Sequence, residues 1–148
     1  MKNAPSNAYT TDIRVRYAET DQMGVAYHAH YLVWCEVART GLIRELGRSY
    51  AELEKDGLIL AVADARVRYH ASARYDDRVR ITCWPSTVQS RAVTFEYLLE
   101  KIGEHDTDRD EPVRLATAST MLIALDKAGA TRRFQPELYE VLRGAVPR

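Results

Sequence analysis

Net charge is absent from this chain: its 148 residues carry 21 Lys+Arg against 21 Asp+Glu. Such a balance leaves no electrostatic footprint for nucleic acid or for an anionic membrane surface, so neither is expected as a partner. Long apolar runs are also missing. None approaches the ~18 residues of a membrane span, so no insertion by a helix is expected. No charged-then-apolar leader opens the chain, and a cytoplasmic address is expected by default. Only two cysteines occur, Cys35 and Cys83, far apart and out of any metal-ligand spacing. Both are expected to be small buried thiols. No G-x-S-x-G elbow, Walker loop, G-x-G-x-x-G or H-E-x-x-H is found, and Ser86, Ser90 and Ser119 lack a nucleophile signature. Internal repeats and inter-domain linkers are lacking too.

What remains has the composition of one ordinary globular domain, 46% hydrophobic and 28% charged. Residues 1–10 are polar and are expected to form a loose tail ahead of a single domain over 11–148. From Ile13 the pattern alternates: Ile13, Val15 and Tyr17 share one face of a strand, Arg14 and Arg16 the other. Asp21–Gly24 breaks it. A helix is predicted from about Ala29 to Leu46, apolar around most of its circumference and therefore interior. Glu36 and Arg39 stand one turn apart on it and can pair. Ser49 caps a short second helix, with Glu52 at the capping-box position and Gly57 at its close.

Past Gly57 the period changes to two. Ile59, Ala61, Ala63, Ala65, Val67 and Tyr69 fall on one face of a strand. Val79, Ile81 and Cys83 mark the next strand, and Val93, Phe95, Tyr97 and Leu99 the one after. A polar loop over 103–112 leads to a long strand, Val113–Leu125, whose alanines, threonines and serines would let a helix or a ligand approach closely. Pro136 starts a short last helix that Gly144 ends. Antiparallel strands with short turns must bury one face, and the early helix is the element large enough to cover it. The expected class is α+β, an antiparallel curved sheet wrapped around a long central helix.

One stretch carries candidate chemistry. Asp21 lies past a strand end, with Gly24 beside it to permit close approach. Read alone, Asp21 could be a turn residue. The loop, however, runs into a helix start, whose free N–H groups attract developing negative charge and keep a nearby carboxylate ionised. A buried helix also makes a drier pocket, where electrostatics are stronger. His28 is the second candidate, able to orient Asp21, its water or a substrate. Tyr27 and Tyr31 could line the same pocket or pack in the core. His28 and His30 form an H-x-H pair, but residues two apart on a helix diverge by roughly 200°. No metal and no cofactor is expected.

The run Thr20-Asp21-Gln22-Met23-Gly24-Val25-Ala26-Tyr27-His28-Ala29-His30-Tyr31-Leu32 resembles the signature of hotdog-fold acyl-CoA thioesterases of the 4-hydroxybenzoyl-CoA thioesterase type. It is most similar to the short-chain branch associated with the Tol-Pal cell-envelope system. Ala73-Arg74-Tyr75-Asp76-Asp77, Phe95-Glu96-Tyr97 and Leu122-Ile123-Ala124-Leu125-Asp126 extend the resemblance over about residues 12 to 142. It implies that Asp21 attacks a thioester carbonyl or activates water against it, and that the backbone N–H at His28 polarises the carbonyl. It further implies that Arg91 lies near the nucleotide phosphates of coenzyme A. His30 departs from the pattern, which usually has asparagine there. The family pairs subunits into dimers and often tetramers, so a homo-oligomer (dimer or dimer of dimers) acting on acyl-CoA is the implied assembly. Two alternatives stay open: a hotdog hydratase or dehydratase, and a non-catalytic acyl-CoA-binding module.

Overall fold

The alternating stretches pair into one sheet because each has an apolar side to bury and one long helix is there to receive it. The computed structural model describes residues 3–148, so Met1 and Lys2 of the expected tail lie outside the described residues. The elements are β1 (Tyr9–Arg14), α1 (His30–Glu45), α2 (Tyr50–Lys55), β2 (Ile59–Tyr69), β3 (Arg78–Val88), β4 (Ala92–Lys101), β5 (Val113–Leu125) and α3 (Pro136–Gly144). The strands form a single antiparallel sheet in the order β1-β3-β4-β5-β2. Helix α1 packs on the face that buries Val79, Ile81, Cys83, Phe95, Tyr97 and Leu99. Among the described residues no helix is long and apolar enough to cross a membrane.

Several local expectations hold. Ser49 accepts the Glu52 N–H at 3.2 Å and caps α2. Gly47 and Gly57 take φ of +101° and +84°, the left-handed geometry that ends α1 and α2. Pro136 opens α3 in its first turn. Cys35 and Cys83 are free and buried, and burial pushes the Cys35 thiol up to about 12.

Others are corrected. The first strand starts at Tyr9, inside the expected tail, because Tyr9, Thr11 and Ile13 pair with Cys83, Ile81 and Val79. It also ends at Arg14, and a 3₁₀ turn over Tyr17–Glu19 swings Tyr17 out, leaving it 78% exposed. In β2 a bulge falls between Val62 and Asp64. An inserted residue reverses which side chains face inward. Val62 therefore lies opposite buried Leu122, and Ala65 opposite buried Thr120. The six odd-numbered residues do not share one face.

Helix α1 is not covered all round within one chain. Tyr31, Trp34, Cys35, Ala38, Leu42 and Ile43 are buried, whereas Val33 and Val37 are each 46% exposed. Arg39 does not pair with Glu36. Its side chain enters the core, where Nε donates to Tyr50 Oη at 2.9 Å and Nη1 to Tyr97 Oη at 3.1 Å and Thr120 Oγ1 at 3.4 Å. Glu36 stays exposed on the open side of the helix.

Candidate active site

The loop between the 3₁₀ turn and α1 folds back on itself as a small antiparallel finger. Thr20 bridges Ala26, the Asp21 N–H donates to the Val25 carbonyl at 2.9 Å, and the Tyr27 N–H donates to the Glu19 carbonyl at 2.8 Å. Asp21 sits near the tip, half-buried. Its Oδ1 accepts the Met23 N–H at 2.9 Å and the Val25 N–H at 3.4 Å. It is thus a turn aspartate, and Oδ2 takes no hydrogen bond from any described residue. Gly24 closes the turn with φ +77°, and a Cβ there would lie 3.8 Å from Arg74 Nη1. Space is adequate, so the strain at this position is conformational. Gly24→Val is expected to destabilise the protein by about 1–2 kcal/mol. A thermal melt within 1 °C of wild type, against an expected fall of roughly 3–6 °C, would contradict that.

Two links tie the finger to the rest of the molecule. On one side Val25 bridges Arg74, and the Ala26 N–H donates to the Ala73 carbonyl at 2.8 Å. The Ala73 N–H in turn donates to Tyr31 Oη at 3.1 Å. On the other side is Glu19, only 3% exposed. Its Oε1 accepts the Arg16 N–H and its Oε2 accepts Trp34 Nε1–H, both at 2.8 Å. Burial pushes the Glu19 carboxyl up, but the Arg16 N–H, the Trp34 indole and the Arg16 guanidinium outweigh it and hold it below the usual range. The sequence pattern did not single out Glu19. The available signal was a glutamate three residues after Arg16, the spacing of a reciprocal cap.

At the helix start the Tyr27 carbonyl accepts the His30 N–H, and the His28 carbonyl accepts from Tyr31 N–H and from Tyr69 Oη–H at 2.7 Å. No described residue accepts a hydrogen bond from the N–H of His28 or of Ala29. Ala29 is the N-cap of α1, whose first amides have no carbonyl one turn back to bond, and His28 immediately precedes it. Tyr69 was not singled out either; from β2 it pins the peptide that orients this end. The exposed Tyr27 ring lies 4.3 Å from the His28 ring and 6.2 Å from that of His30, centroid to centroid. Tyr31 is buried against Trp34 and Tyr69. Its hydroxyl accepts the Ala73 N–H.

Arg91 is not brought to this loop. It is exposed in the turn after β3, whereas the finger rests on the turn before β3. The strand between them is 11 residues long, roughly 35 Å when fully extended at ~3.3 Å per residue. Within one chain Arg91 and Asp21 stand at opposite ends of the sheet.

One long helix wrapped by a five-stranded antiparallel sheet, with a carboxylate loop at the helix start, defines the hotdog class. The family model described as "Thioesterase superfamily" matches residues 23–106, and the chain belongs to that family. YneP of Bacillus subtilis is 48% identical over 73 residues, covering 49% of this chain and 53% of that protein, so the chain spans about half the length of this relative. Acyl-CoA thioesterase YbgC of Haemophilus influenzae is 34% identical over 94 residues, covering 63% of this chain and 69% of that protein. Among solved structures, a DHNA-CoA thioesterase from Staphylococcus aureus superposes with a TM-score of 0.82 at 34% identity, covering 92% of this chain and 89% of that one.

Proposed function

We propose that this chain hydrolyses acyl-CoA thioesters to the free acid and coenzyme A. The observation that carries the reading is the pairing, on one short loop, of a half-buried carboxylate with a helix start whose foremost amides are unpaired. In this mechanism the thioester oxygen takes the N–H of His28, which stabilises the negative charge that develops as the carbonyl carbon becomes tetrahedral. Oδ2 of Asp21 attacks that carbon or removes a proton from the attacking water, while Oδ1 stays engaged with the loop amides. Gly24 leaves room beside the carboxylate, and Tyr27 and His28 offer rings to flank the substrate. No metal or cofactor is required by these steps. The names of the relatives support the acyl-CoA substrate. Placement in the short-chain, Tol-Pal-associated branch is the finer part of this proposal, and the loop motif over residues 20–32 is what supports it. An acyl-CoA hydrolysis assay following thiol release tests the activity; binding without thiol release would favour a non-catalytic module.

The active assembly in this proposal is a homodimer, or a dimer of such dimers, in the cytoplasm. Strand β2 is an edge of the sheet, 11 residues long and mostly exposed. Long unpaired edges invite pairing with another strand. Exposed Val33 and Val37 on α1 and Val62 on β2 lie along the same open side. Joining two copies along β2 would cover them, and it offers a route by which the partner's Arg91 could serve the nucleotide end of the substrate. Val37→Lys is expected to convert the oligomer to monomer in light scattering at micromolar concentration. A wild-type protein that is already monomeric there would rule the assembly out.

A further inference from the structure

A buried guanidinium with no carboxylate beside it calls for an explanation. Arg39 is 7% exposed, and its hydrogen bonds go to three neutral hydroxyls. Nε serves Tyr50, and the two hydrogens of Nη1 serve Tyr97 and Thr120. Nη2 has no acceptor among the described residues, and it is not closed off from the surface either. A cation withdrawn from water and left without an opposite charge is costly. Glu36, one turn earlier on α1, is exposed and makes no hydrogen bond or ion pair with any described residue. The two do not meet within one chain because Nε and Nη1 hold Arg39 in the core.

Both side chains line one open cleft of about 210 Å³ between α1 and β2, with Val33, Val62 and Ala65 as apolar neighbours. Strand β2 runs from Ile59 to Tyr69, so its middle residue is Asp64. Val62 and Ala65 flank that middle and share the cleft with Glu36 and Arg39. A twofold axis that pairs the whole β2 edge with its copy passes through the middle of the strand. It is therefore level with the 36–39 turn of α1. Such an axis sets the two α1 helices antiparallel, side by side on one face of the joined sheet. Glu36 and Arg39 are separated by ~4.5 Å along the helix. An axis midway between them brings Glu36 of the partner subunit opposite Arg39, and the reverse. Val37 lies inside that interval and is 46% exposed, so apolar surface surrounds the axis.

Resting on the homodimer reading above, we propose that the carboxylate missing from Arg39 is Glu36 of the partner subunit, which accepts from Nη2. In a twofold interface a contact of one residue with another is made a second time with the roles exchanged. Each dimer therefore holds two such ion pairs, one on either side of the axis. Closing the interface takes both charges out of water, and removing either partner then leaves the other buried alone. The pairs also select a register. The next register that keeps the same side chains inward is two residues away. It slides one copy past the other by ~6.6 Å along β2 and parts both pairs. A backbone edge that accepts several registers is thereby held to one, and that register fixes which partner residues stand beside the Asp21 loop.

The test is the dimer dissociation constant of the full chain, measured by sedimentation equilibrium. Glu36→Gln keeps the size, removes the charge, and is expected to raise that constant at least tenfold. Glu36→Lys sets a cation against the partner's Arg39 and is expected to raise it further still. Glu45→Lys makes the same charge change at an exposed α1 residue beside Tyr9, away from β2, and is expected to leave the constant within twofold of wild type. Arg39→Met is expected to weaken the dimer as well, and in that background Glu36→Gln should have little further effect because the two groups are coupled. Should Arg39→Met not fold, the three glutamate variants decide. A wild-type dimer unmoved by both Glu36 variants, or weakened as much by Glu45→Lys, overturns the ion pair. So does a Glu36→Gln effect undiminished in Arg39→Met. A wild type that is monomeric at every concentration would instead defeat the homodimer reading itself.

Discussion

Asp21→Asn is expected to lower kcat for acyl-CoA hydrolysis by about a thousandfold while leaving the melting temperature nearly unchanged. The two outcomes separate because the two carboxylate oxygens have separate duties. Oδ1 accepts the Met23 and Val25 N–H groups, and an asparagine can present its amide oxygen in the same place. The loop should therefore keep its shape. The second position becomes an NH₂ group, which neither attacks a thioester nor takes a proton from water. Asp21→Ala removes both duties. It should lose the same activity and additionally about 1 kcal/mol of stability from the freed loop amides. Turnover near the wild-type rate in both variants, measured by thiol release at saturating substrate, would remove Asp21 from the mechanism.

Trp34→Phe is expected to cost about 3 kcal/mol and to weaken catalysis, although Trp34 touches no substrate in the proposed mechanism. The indole N–H is one of the donors that keep Glu19 charged in a nearly closed site. Its loss leaves Oε2 without a described partner, and an ion so placed is expensive. Glu19 holds the base of the finger through its carbonyl bond to Tyr27, so loosening it loosens Asp21. The pH dependence follows from the sign of the shift. The Glu19 carboxyl is held below its ordinary value of 4.5 in the folded protein. Its contribution is therefore complete above that ordinary value and is lost as pH falls through the lower folded value. The wild type should melt earlier on acidification across that window, and Trp34→Phe should show a smaller acid-dependent loss because part of the stabilisation is already gone. Equal melting temperatures for the two proteins at neutral pH would contradict this account.

The candidate site was legible to the extent that it is local. Asp21, Gly24 and the helix start occupy one continuous run, and turn chemistry, glycine's freedom and unpaired first-turn amides are all properties of neighbouring residues. The groups that hold this run in place were not legible, because their partners are remote. Trp34 lies 15 positions from Glu19, and Tyr69 lies 41 from His28. Arg39 reaches Tyr97 and Thr120, 58 and 81 positions away. Helical spacing offered Arg39 the nearby Glu36; the fold instead offered three hydroxyls on the buried side.

The amino-acid sequence by itself determined the long apolar helix, the cap of the second helix, the proline start of the third, the inward rows of β3 and β4, and the acidic loop before α1. Each follows from periodicity or from a residue's own conformational limits, which need no knowledge of distant neighbours. Only the tertiary structure decided the rest. The bulge in β2 reversed its inward side because register depends on the strand it pairs with. Val33 and Val37 stayed exposed because the sheet ends at β2, a matter of strand order rather than of pattern. Arg91 fell at the opposite end of the sheet from Asp21 because the whole of β3 separates the turn that carries Arg91 from the turn the finger rests on. Pairing over long distances along the chain is what the local pattern does not encode, and here it sets both the support of the Asp21 loop and the exposed edge along β2.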